Sequence, residues 1–307
     1  MHCQRTLKRE TACVGIGLHS GRRVHLTLKP APANSGIVFK RVDRNGVEIP
    51  AKAKHLACIN HATCLARGEA RIETVEHLLA ALTTLGVDNV VVELDAAEVP
   101  IMDGSAAPFI YLIHEAGIRK LTASRQFIRL KRPLSVEQDG RQVAAYPSDS
   151  LRFTYTINFN HPLLRHQEHS LEINESSFTE EIAPARTFGF QKDVEVLRQN
   201  GLALGGSLDN AIVLSETGVL NNPLRFPDEF VRHKILDVLG DLSLLNHHLL
   251  AHVVAVRAGH GLHTELVQEI LTSPNNWDLV TLPEPVGASV AAAEAPSFAE
   301  ASAGPRR

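Results

Sequence analysis

The same order of predicted elements occurs twice along the chain. Residues 71–86 have the apolar spacing of a helix, and they are followed by a strand (NVVVEL), a glycine-containing loop (IMDGSAAP) and a second helix (PFIYLIHEAG). In the second half, a longer predicted helix over residues 228–250 is followed by a strand (HVVAVRA), the loop GHG and a helix (LHTELVQEILTS). The repeated order indicates an internal duplication. It predicts an α+β fold of two similar domains, each a sheet with packed helices.

The two copies of this repeated order predict the domain boundaries. We expect residues 1–123 to form the first α+β domain and residues 124–282 to form the second. A predicted strand–helix–strand unit over about residues 186–214 interrupts the second domain as an insertion. Residues 283–307 are rich in Ala, Pro, Glu and Ser, which cannot bury a core, so a disordered tail is predicted there.

Composition excludes several classes of protein. A hydrophobic content of 44% and a charged content of 21% are ordinary for a globular protein, and the net charge of −3 gives no sign of a nucleic-acid partner. The N-terminus lacks the apolar segment of a signal peptide, and no run of 18 apolar residues predicts a transmembrane helix. A soluble, cytoplasmic protein is therefore expected. The four cysteines (Cys3, Cys13, Cys58 and Cys64) form no CxxC pair, so free thiols are predicted rather than disulfides or a structural zinc site.

Polar residues recur at helical spacing on the long predicted helix. His233, Asp237 and Asp241 are four residues apart, so all three project from nearly the same side. A His and an Asp at this spacing can supply two ligands to one metal ion. The alternative is a solvated surface pair, which contributes only a few tenths of a kcal/mol to stability, about 0.2–0.5.

Three further residues extend this hypothesis to a catalytic centre. His77, near the start of the equivalent helix in the first half, would complete a His2Asp set with His233 and Asp237, leaving a fourth position for water. Such a site lies between the two halves. Glu76 is about 100° round the helix from His77, near such a water, unless it is simply a solvated carboxylate. His260 is flanked by Gly259 and Gly261, where backbone can approach a substrate closely, and the alternative is a loop histidine without function.

Six separated motifs carry a resemblance to a known family. They are, in order, TVEHLLAAL, IMDGSAAPF, ARTFGF, LGGSLDNAIV, HKILDVLGDL and AGHG. With these motifs the chain resembles the UDP-3-O-acyl-N-acetylglucosamine deacetylases, the zinc amidases of lipid A biosynthesis in Gram-negative bacteria. The resemblance covers residues 1 to about 282.

The resemblance implies a role for each matching residue. One zinc ion is held by His77, His233 and Asp237, and Glu76 is the general base. His260 is the general acid or electrostatic stabiliser, and Asp241 orients it and keeps it charged. Thr187 helps to bind the developing oxyanion, and Lys234 binds substrate, although a lysine salt-bridged within the helix is the alternative. The insertion matches the family's acyl-chain passage, with Gly206 allowing close approach and a lining of Phe188, Val194, Leu197, Leu204 and Leu208.

The implied reaction is removal of the N-acetyl group from UDP-3-O-(3-hydroxyacyl)-N-acetylglucosamine, with release of acetate. The acylated UDP-sugar is the expected partner, and weak contact with the inner membrane surface and a monomeric state are further expectations. Three alternatives stay open. They are a zinc amidohydrolase for another acylated amine, a non-catalytic metal-binding or regulatory protein, and a structural nucleotide-binding module. The last has no phosphate loop such as GxxxxGKS to support it.

Overall fold

The computed structural model describes residues 2–220 and 223–283. Among these residues, the first half contains ten strands and two α-helices: β1 (Cys3–Leu7), β2 (Thr11–Ile16), β3 (Arg23–Pro30), β4 (Ile37–Arg41), β5 (Val47–Pro50), β6 (Leu56–Cys58), β7 (Cys64–Arg67), β8 (Ala70–Ile72), α1 (Glu76–Thr84), β9 (Val90–Leu94), α2 (Ala107–Ala116) and β10 (Ile118–Ser124). A five-stranded sheet has the order β2-β3-β9-β4-β5, and β6, β7 and β8 form a small separate sheet.

The second half contains the remaining elements: β11 (Phe127–Leu130), β12 (Leu134–Gln138), β13 (Arg141–Pro147), β14 (Arg152–Ile157), β15 (Gln167–Glu172), α3 (Glu175–Ser177), β16 (Phe188–Phe190), α4 (Gln191–Gln199), β17 (Ile212–Leu214), α5 (Glu229–Leu242), β18 (His248–Val256), α6 (His260–Thr272) and β19 (Trp277–Val280). Within its seven-stranded sheet, β12 pairs with β13, β13 with β18, β18 with β14, and β14 with β15.

The two main sheets repeat the same strand pairing. In the first, β3 pairs antiparallel with β2 and β9, while β9 is parallel to β4 and β4 is antiparallel to β5. In the second, β13 pairs antiparallel with β12 and β18, while β18 is parallel to β14 and β14 is antiparallel to β15. Each central strand, β9 or β18, lies between a buried helix and a following helix in the chain. The predicted α+β fold with an internal duplication is therefore confirmed.

The equivalent helices α1 and α5 pack against each other in the core. Leu78, Leu79 and Leu82 of α1 are fully buried, as the helical spacing of apolar residues predicts. Burying each such side chain contributes about 1.5–3 kcal/mol to folding. After α1, Gly86 adopts a positive φ of 66° and ends the helical segment. Because α5 is buried on nearly all sides, its polar residues face protein rather than bulk water.

The predicted long helix over residues 228–250 is too long. Helix α5 ends at Leu242, a single 3-10 turn follows over Ser243–Leu245, and β18 begins at His248. Asn246 has a left-handed conformation (φ 60°), which stops the helix, because a further helical residue needs a negative φ. The apolar residues after this turn belong to the central strand of the second sheet, where the burial alternates along the strand.

The insertion forms a strand, a helix and a second strand. The strands β16 and β17 pair in parallel, with Phe188 opposite Ile212, and the amphipathic helix α4 lies between them in the chain. The predicted tail, residues 283–307, lies outside the described residues except for Pro283. No helix among the described residues is long and apolar enough to cross a membrane.

Candidate metal centre and active site

The three predicted metal ligands meet where α1 and α5 pack together. One potential ligand atom from each of His77, His233 and Asp237 lies within 4.8 Å of the others, and all three side chains are buried. The Nε2 atoms of His77 and His233 lie 3.7 Å and 3.3 Å from Asp237 Oδ1. Tetrahedral bonds of about 2.0 Å place neighbouring ligand atoms roughly 3.3 Å apart, so this set fits a small divalent cation.

The surroundings of these residues leave the ligand atoms free. His233 Nδ1 donates to the Ala185 carbonyl at 3.0 Å, so its Nε2 keeps a lone pair directed at Asp237. Burial lowers the pKa of His233 to about 4, which keeps the imidazole neutral. Lys234 Nζ donates to Asp237 Oδ2 at 2.6 Å and leaves Oδ1 for a cation. His77 Nδ1 is buried and has no hydrogen-bond partner among the described residues, so the protein leaves its tautomer open.

Charge decides which form Asp237 takes. Burial raises the pKa of a carboxyl group, but the surrounding groups, above all the ammonium group of Lys234, outweigh this and hold the pKa of Asp237 well below its usual range. The carboxylate is therefore ionised. Together with the imidazoles of His77 and His233 it makes a His2Asp donor set, which is the type that catalytic zinc sites with an open position use.

Glu76 lies beside this set without belonging to it. Its Oε2 accepts a hydrogen bond from the Thr63 backbone N–H at 3.1 Å, and its Oε1 lies 3.8 Å from His260 Nε2. Burial raises the pKa of Glu76, while the neighbouring histidines His260 and His77 lower it, and the net change is upward. A carboxylate with a raised pKa is a better proton acceptor for a buried water molecule.

His260 is the first residue of α6 and pairs with Asp241. The His260 Nδ1–H donates to Asp241 Oδ2 at 2.8 Å, and Asp241 is fully buried. Burial alone lowers the pKa of a histidine, but the charge and hydrogen bond of Asp241 reverse this and raise the pKa of His260 to about 9. The His260 imidazole is therefore positively charged at neutral pH, and its Nε2 faces Glu76.

A cavity of about 240 Å³ joins these groups to the insertion. It is lined by Glu76, His77, His233, Asp237 and His260, together with three further predicted site residues, Thr187, Phe188 and Lys234. Asp241 lies behind His260 rather than on the cavity wall. The cavity therefore holds groups from both halves of the chain.

The remaining predicted residues of the acyl-chain passage lie elsewhere. Val194, Leu197, Leu204, Gly206 and Leu208 do not line this cavity, and the side chains of Leu204 and Leu208 are each 52% exposed. The backbone N–H groups of residues 204 and 205 donate to the carbonyls of His19 and Leu18, which do line the cavity. The insertion thus contacts the cavity wall, and the role of these five residues stays a prediction.

Several residues of the site were not predicted from the sequence. The Thr63 hydroxyl donates to Asp241 Oδ1 at 2.5 Å, from a segment far away in the chain. His19, His61 and Phe159 also line the cavity, and His19 Nε2 is buried with no hydrogen-bond partner among the described residues. The spacing of residues around Thr63 gives no signal of its role, because its partner Asp241 belongs to a distant element. The one available signal was the histidine of the segment GLHSG, near the N-terminus.

The prediction of four free thiols is wrong for two of them. Cys58 and Cys64 form a disulfide, which does not include Cys3 or Cys13. The two bonded residues are paired neighbours on the antiparallel strands β6 and β7, which places their Cα atoms 5.0 Å apart. Sequence spacing alone did not reveal this pairing because it depends on the register of two short strands. The disulfide closes the loop that contains His61 and Thr63.

Comparison with known proteins agrees with this geometry. The family model for UDP-3-O-acyl N-acetylglycosamine deacetylase matches residues 4–272. The UDP-3-O-acyl-N-acetylglucosamine deacetylase of Idiomarina loihiensis is 47% identical over 92% of this chain and 94% of its own length. The protein of the same name from Coxiella burnetii (strain RSA 493) is 46% identical, with the same coverage of both chains. With two similar α+β halves, a buried His2Asp set and this match along most of its length, the chain belongs to the UDP-3-O-acyl-N-acetylglucosamine deacetylase family.

Proposed function

We propose that this protein is a zinc-dependent hydrolase that removes the N-acetyl group from UDP-3-O-(3-hydroxyacyl)-N-acetylglucosamine and releases acetate in lipid A biosynthesis. The observation that carries the proposal is the convergence of Glu76, the His77–His233–Asp237 set and His260 on one cavity. The names of the relatives supply the substrate class. A buried base, an open donor set and a charged histidine together suit the hydrolysis of an unactivated amide.

His77, His233 and Asp237 are the proposed ligands of the zinc ion. A zinc ion bound there would polarise the amide carbonyl and make the attacking water more acidic. Lys234 donates to Oδ2 of Asp237, so Oδ1 is the oxygen that would hold the cation. The ammonium group of Lys234 has three N–H donors. One donates to Asp237, and the other two are proposed to bind the substrate. This arrangement supports both the metal assignment and the proposed substrate contact of Lys234.

Glu76 is the proposed general base. It accepts a proton from the attacking water as the water oxygen bonds to the acetamide carbonyl carbon. Its raised pKa brings the carboxylate closer in basicity to the water that it must deprotonate. The Thr63 N–H holds one carboxylate oxygen, so the other oxygen faces the cavity and His260.

His260 is the proposed acid and electrostatic stabiliser. Its positive charge favours the oxyanion that forms on the acetamide oxygen, and the Thr187 hydroxyl is proposed to donate to the same oxygen. When the carbon–nitrogen bond breaks, the leaving amine takes a proton from His260. Asp241 supports this role because it keeps His260 protonated and fixes the ring through Nδ1.

The remaining assignments extend this proposal to the whole chain. The insertion over residues 186–214 is the proposed acyl-chain passage, with Phe188 at its inner end, where it lines the cavity. Val194, Leu197, Leu204, Gly206 and Leu208 are its further proposed lining. The proposed domain boundaries are residues 1–123 and 124–282. We also propose a cytoplasmic monomer that makes weak contact with the inner membrane surface.

Metal content and acetate release, measured together, test the function. The enzyme is expected to contain one zinc ion and to release acetate from the acylated UDP-sugar. Chelation should stop the reaction and added zinc should restore it. A substrate without the fatty acyl chain separates this activity from that of a general zinc amidase, because it should react poorly. A chain that holds zinc but releases no acetate from any acylated amine would instead be a metal-binding protein.

A further inference from the structure

Asp241 accepts hydrogen bonds from three side chains at once. Thr63 Oγ1 donates to Oδ1, while the Nδ1 atoms of His260 and His263 each lie 2.8 Å from Oδ2. His263 is fully buried and follows His260 by three residues on α6. It is absent from the cavity wall, so it reaches the reacting groups only through Asp241. A carboxylate with two donors on one oxygen and one on the other has little freedom to rotate.

The opposite side of His263 contacts a second buried polar group. His263 Nε2 lies 2.9 Å from the hydroxyl of Tyr155, which is fully buried on β14. The same hydroxyl lies 2.9 Å from the Ala258 carbonyl, two residues before His260. Tyr155, His263, Asp241 and His260 therefore form one continuous chain of hydrogen bonds from the second sheet to the cavity.

Proton accounting decides the direction of these bonds. An ionised carboxylate only accepts, so His263 must carry its proton on Nδ1 to bond Asp241. Burial lowers the pKa of His263, so the ring is neutral and its Nε2 is an acceptor. The single hydroxyl proton of Tyr155 has two possible acceptors, the Ala258 carbonyl and His263 Nε2. If the proton went to the carbonyl, Nε2 would have to donate to the Tyr155 oxygen, and a neutral ring would have no proton left for Asp241. The bond from Nδ1 to Asp241 therefore requires that Tyr155 donates to Nε2. The other tautomer of His263, with its proton on Nε2, cannot donate to Asp241.

We propose that His263 and Tyr155 are positioning residues for the deacetylation. Tyr155 keeps His263 in the Nδ1–H tautomer, His263 holds the carboxylate of Asp241, and Asp241 holds the ring of His260 toward Glu76 and the substrate. This inference rests on the proposed function of His260. It adds to that function a second histidine and a tyrosine that touch neither substrate nor metal.

Two substitutions of His263 separate a positioning role from a packing role. Asparagine places its amide N–H near the position of Nδ1, so His263→Asn keeps the donor to Asp241 and loses the Tyr155 contact. Glutamine places its amide near the position of Nε2, so His263→Gln keeps a group opposite Tyr155 and loses the donor to Asp241. Both replace a buried ring with an amide, so they are matched in packing. Tyr155→Phe removes the hydroxyl alone and releases the tautomer.

The expected kinetics differ between the two variants. His263→Gln should lower kcat roughly 10-fold or more, as loss of a residue that orients a site group typically does. His263→Asn should keep kcat within roughly 3-fold of the wild type, because a single neutral hydrogen bond is lost at the far side. Tyr155→Phe should fall between them. KM should stay unchanged in all three, because neither residue lines the cavity.

The measurement combines steady-state kinetics of the zinc-loaded enzyme with ¹⁵N NMR of its histidine rings. The His260 Nδ1–H signal should survive in His263→Asn and should broaden or shift in His263→Gln, and this reading does not depend on activity. Equal kcat and equal His260 signals in the two variants would overturn the inference, as would a change confined to KM. A wild-type enzyme that releases no acetate would instead overturn the proposed function, while the NMR comparison would still decide the positioning role. If His263→Gln does not fold, Tyr155→Phe is the deciding variant. An unchanged kcat together with an unchanged His260 Nδ1–H signal in Tyr155→Phe would then overturn the inference.

Discussion

Gly240 of α5 lies directly against the backbone carbonyl of Glu76 at the start of α1. A Cβ atom at position 240 would overlap with this carbonyl and with the Glu76 Cα, 2.7 Å away. The two helices therefore approach each other closely because this position has no side chain. The same contact places Glu76 and His77 of one half opposite Asp237 and Asp241 of the other.

Gly240→Ala is therefore expected to destabilise the protein and to disturb the metal centre. Backbone atoms must move to admit the methyl group, and such overpacking costs about 1–3 kcal/mol in the free energy of unfolding. Urea unfolding and metal content measure the two effects. Gly218→Ala is the matched control, because a Cβ there meets no atom within 4 Å. Equal stability of the two variants would mean that the helices can separate without cost.

Glu76→Ala and His260→Ala should each lower kcat roughly 10²-fold or more, since acid–base groups contribute on that order. Both should retain the metal, because neither residue belongs to the proposed ligand set. Kinetics and metal analysis of the purified variants check this, with the exposed His114→Ala as the control. If His260→Ala emptied the metal site, the ligand assignment would be wrong.

The pH dependence of kcat should report the charge of His260. Its protonated form is proposed to be active, and Asp241 raises its pKa to about 9, so activity should persist at neutral pH and fall as pH rises through this value. Asp241→Asn removes the charge that raises the pKa, while burial still lowers it, so the falling limb should move to lower pH. The exposed Glu265→Gln is the control. A limb that stays in place in Asp241→Asn would contradict the pairing.

Removal of the metal should lower both activity and thermal stability. A ligand that binds the folded chain but not the unfolded chain raises Tm, so a chelator should lower the Tm of the wild type. His77→Ala and Asp237→Ala should contain little metal, and chelator should leave their Tm nearly unchanged. His260→Ala should respond to chelator as the wild type does. Differential scanning calorimetry with and without chelator makes this comparison.

A buried ion pair, Arg186–Glu229, lies next to the Ala185 carbonyl that accepts a hydrogen bond from His233. Arg186 donates from its guanidinium and its backbone to Glu229, which is fully buried, and Ala185 next to it accepts from His233. Glu229→Ala leaves an unpaired buried charge, so it should cost about 3–5 kcal/mol in the free energy of unfolding.

The exposed pair Lys131–Asp278 provides the control for this ion pair. Asp278→Ala should cost less than about 1 kcal/mol, because water screens exposed charges. Urea unfolding of both variants gives the two values. A small loss for Glu229→Ala would show that the Arg186 charge finds another partner or water.

Residues that are close in the chain were predicted well. The apolar spacing of α1 and α5, the repeated order of elements and the His233–Asp237 pair all follow from helical or strand geometry over a few residues. The end of α5 was missed because the apolar residues of β18 continue its pattern after Leu242. The 3-10 turn over Ser243–Leu245 and the left-handed Asn246 separate the two elements, and the asparagine was the only local signal for the end of the helix.

Residues brought together by long-range contacts were not predicted from spacing. Thr63 and Asp241 are 178 residues apart, and Tyr155 and His263 are 108 residues apart. Cys58 and Cys64 are close in the chain, yet their pairing depends on the register of β6 and β7. Each of these contacts needs the positions of two elements, which no local pattern of residue types specifies.

Local backbone geometry makes His233 and Asp237 neighbours in any structure where this segment is helical, since four residues span about one turn. Helical spacing alone was therefore enough to predict two of the three proposed metal ligands, while His77 was added from its equivalent position in the first half. The packing of α1 against α5 and α6 decided the rest. It brings His77 to the other two ligands, places Thr63 and His263 against Asp241, and sets the charge on His260. Close contact at Gly240 sets the distance between the helices, and burial with the neighbouring charges sets the pKa of His260. Neither quantity can be read from the order of residues.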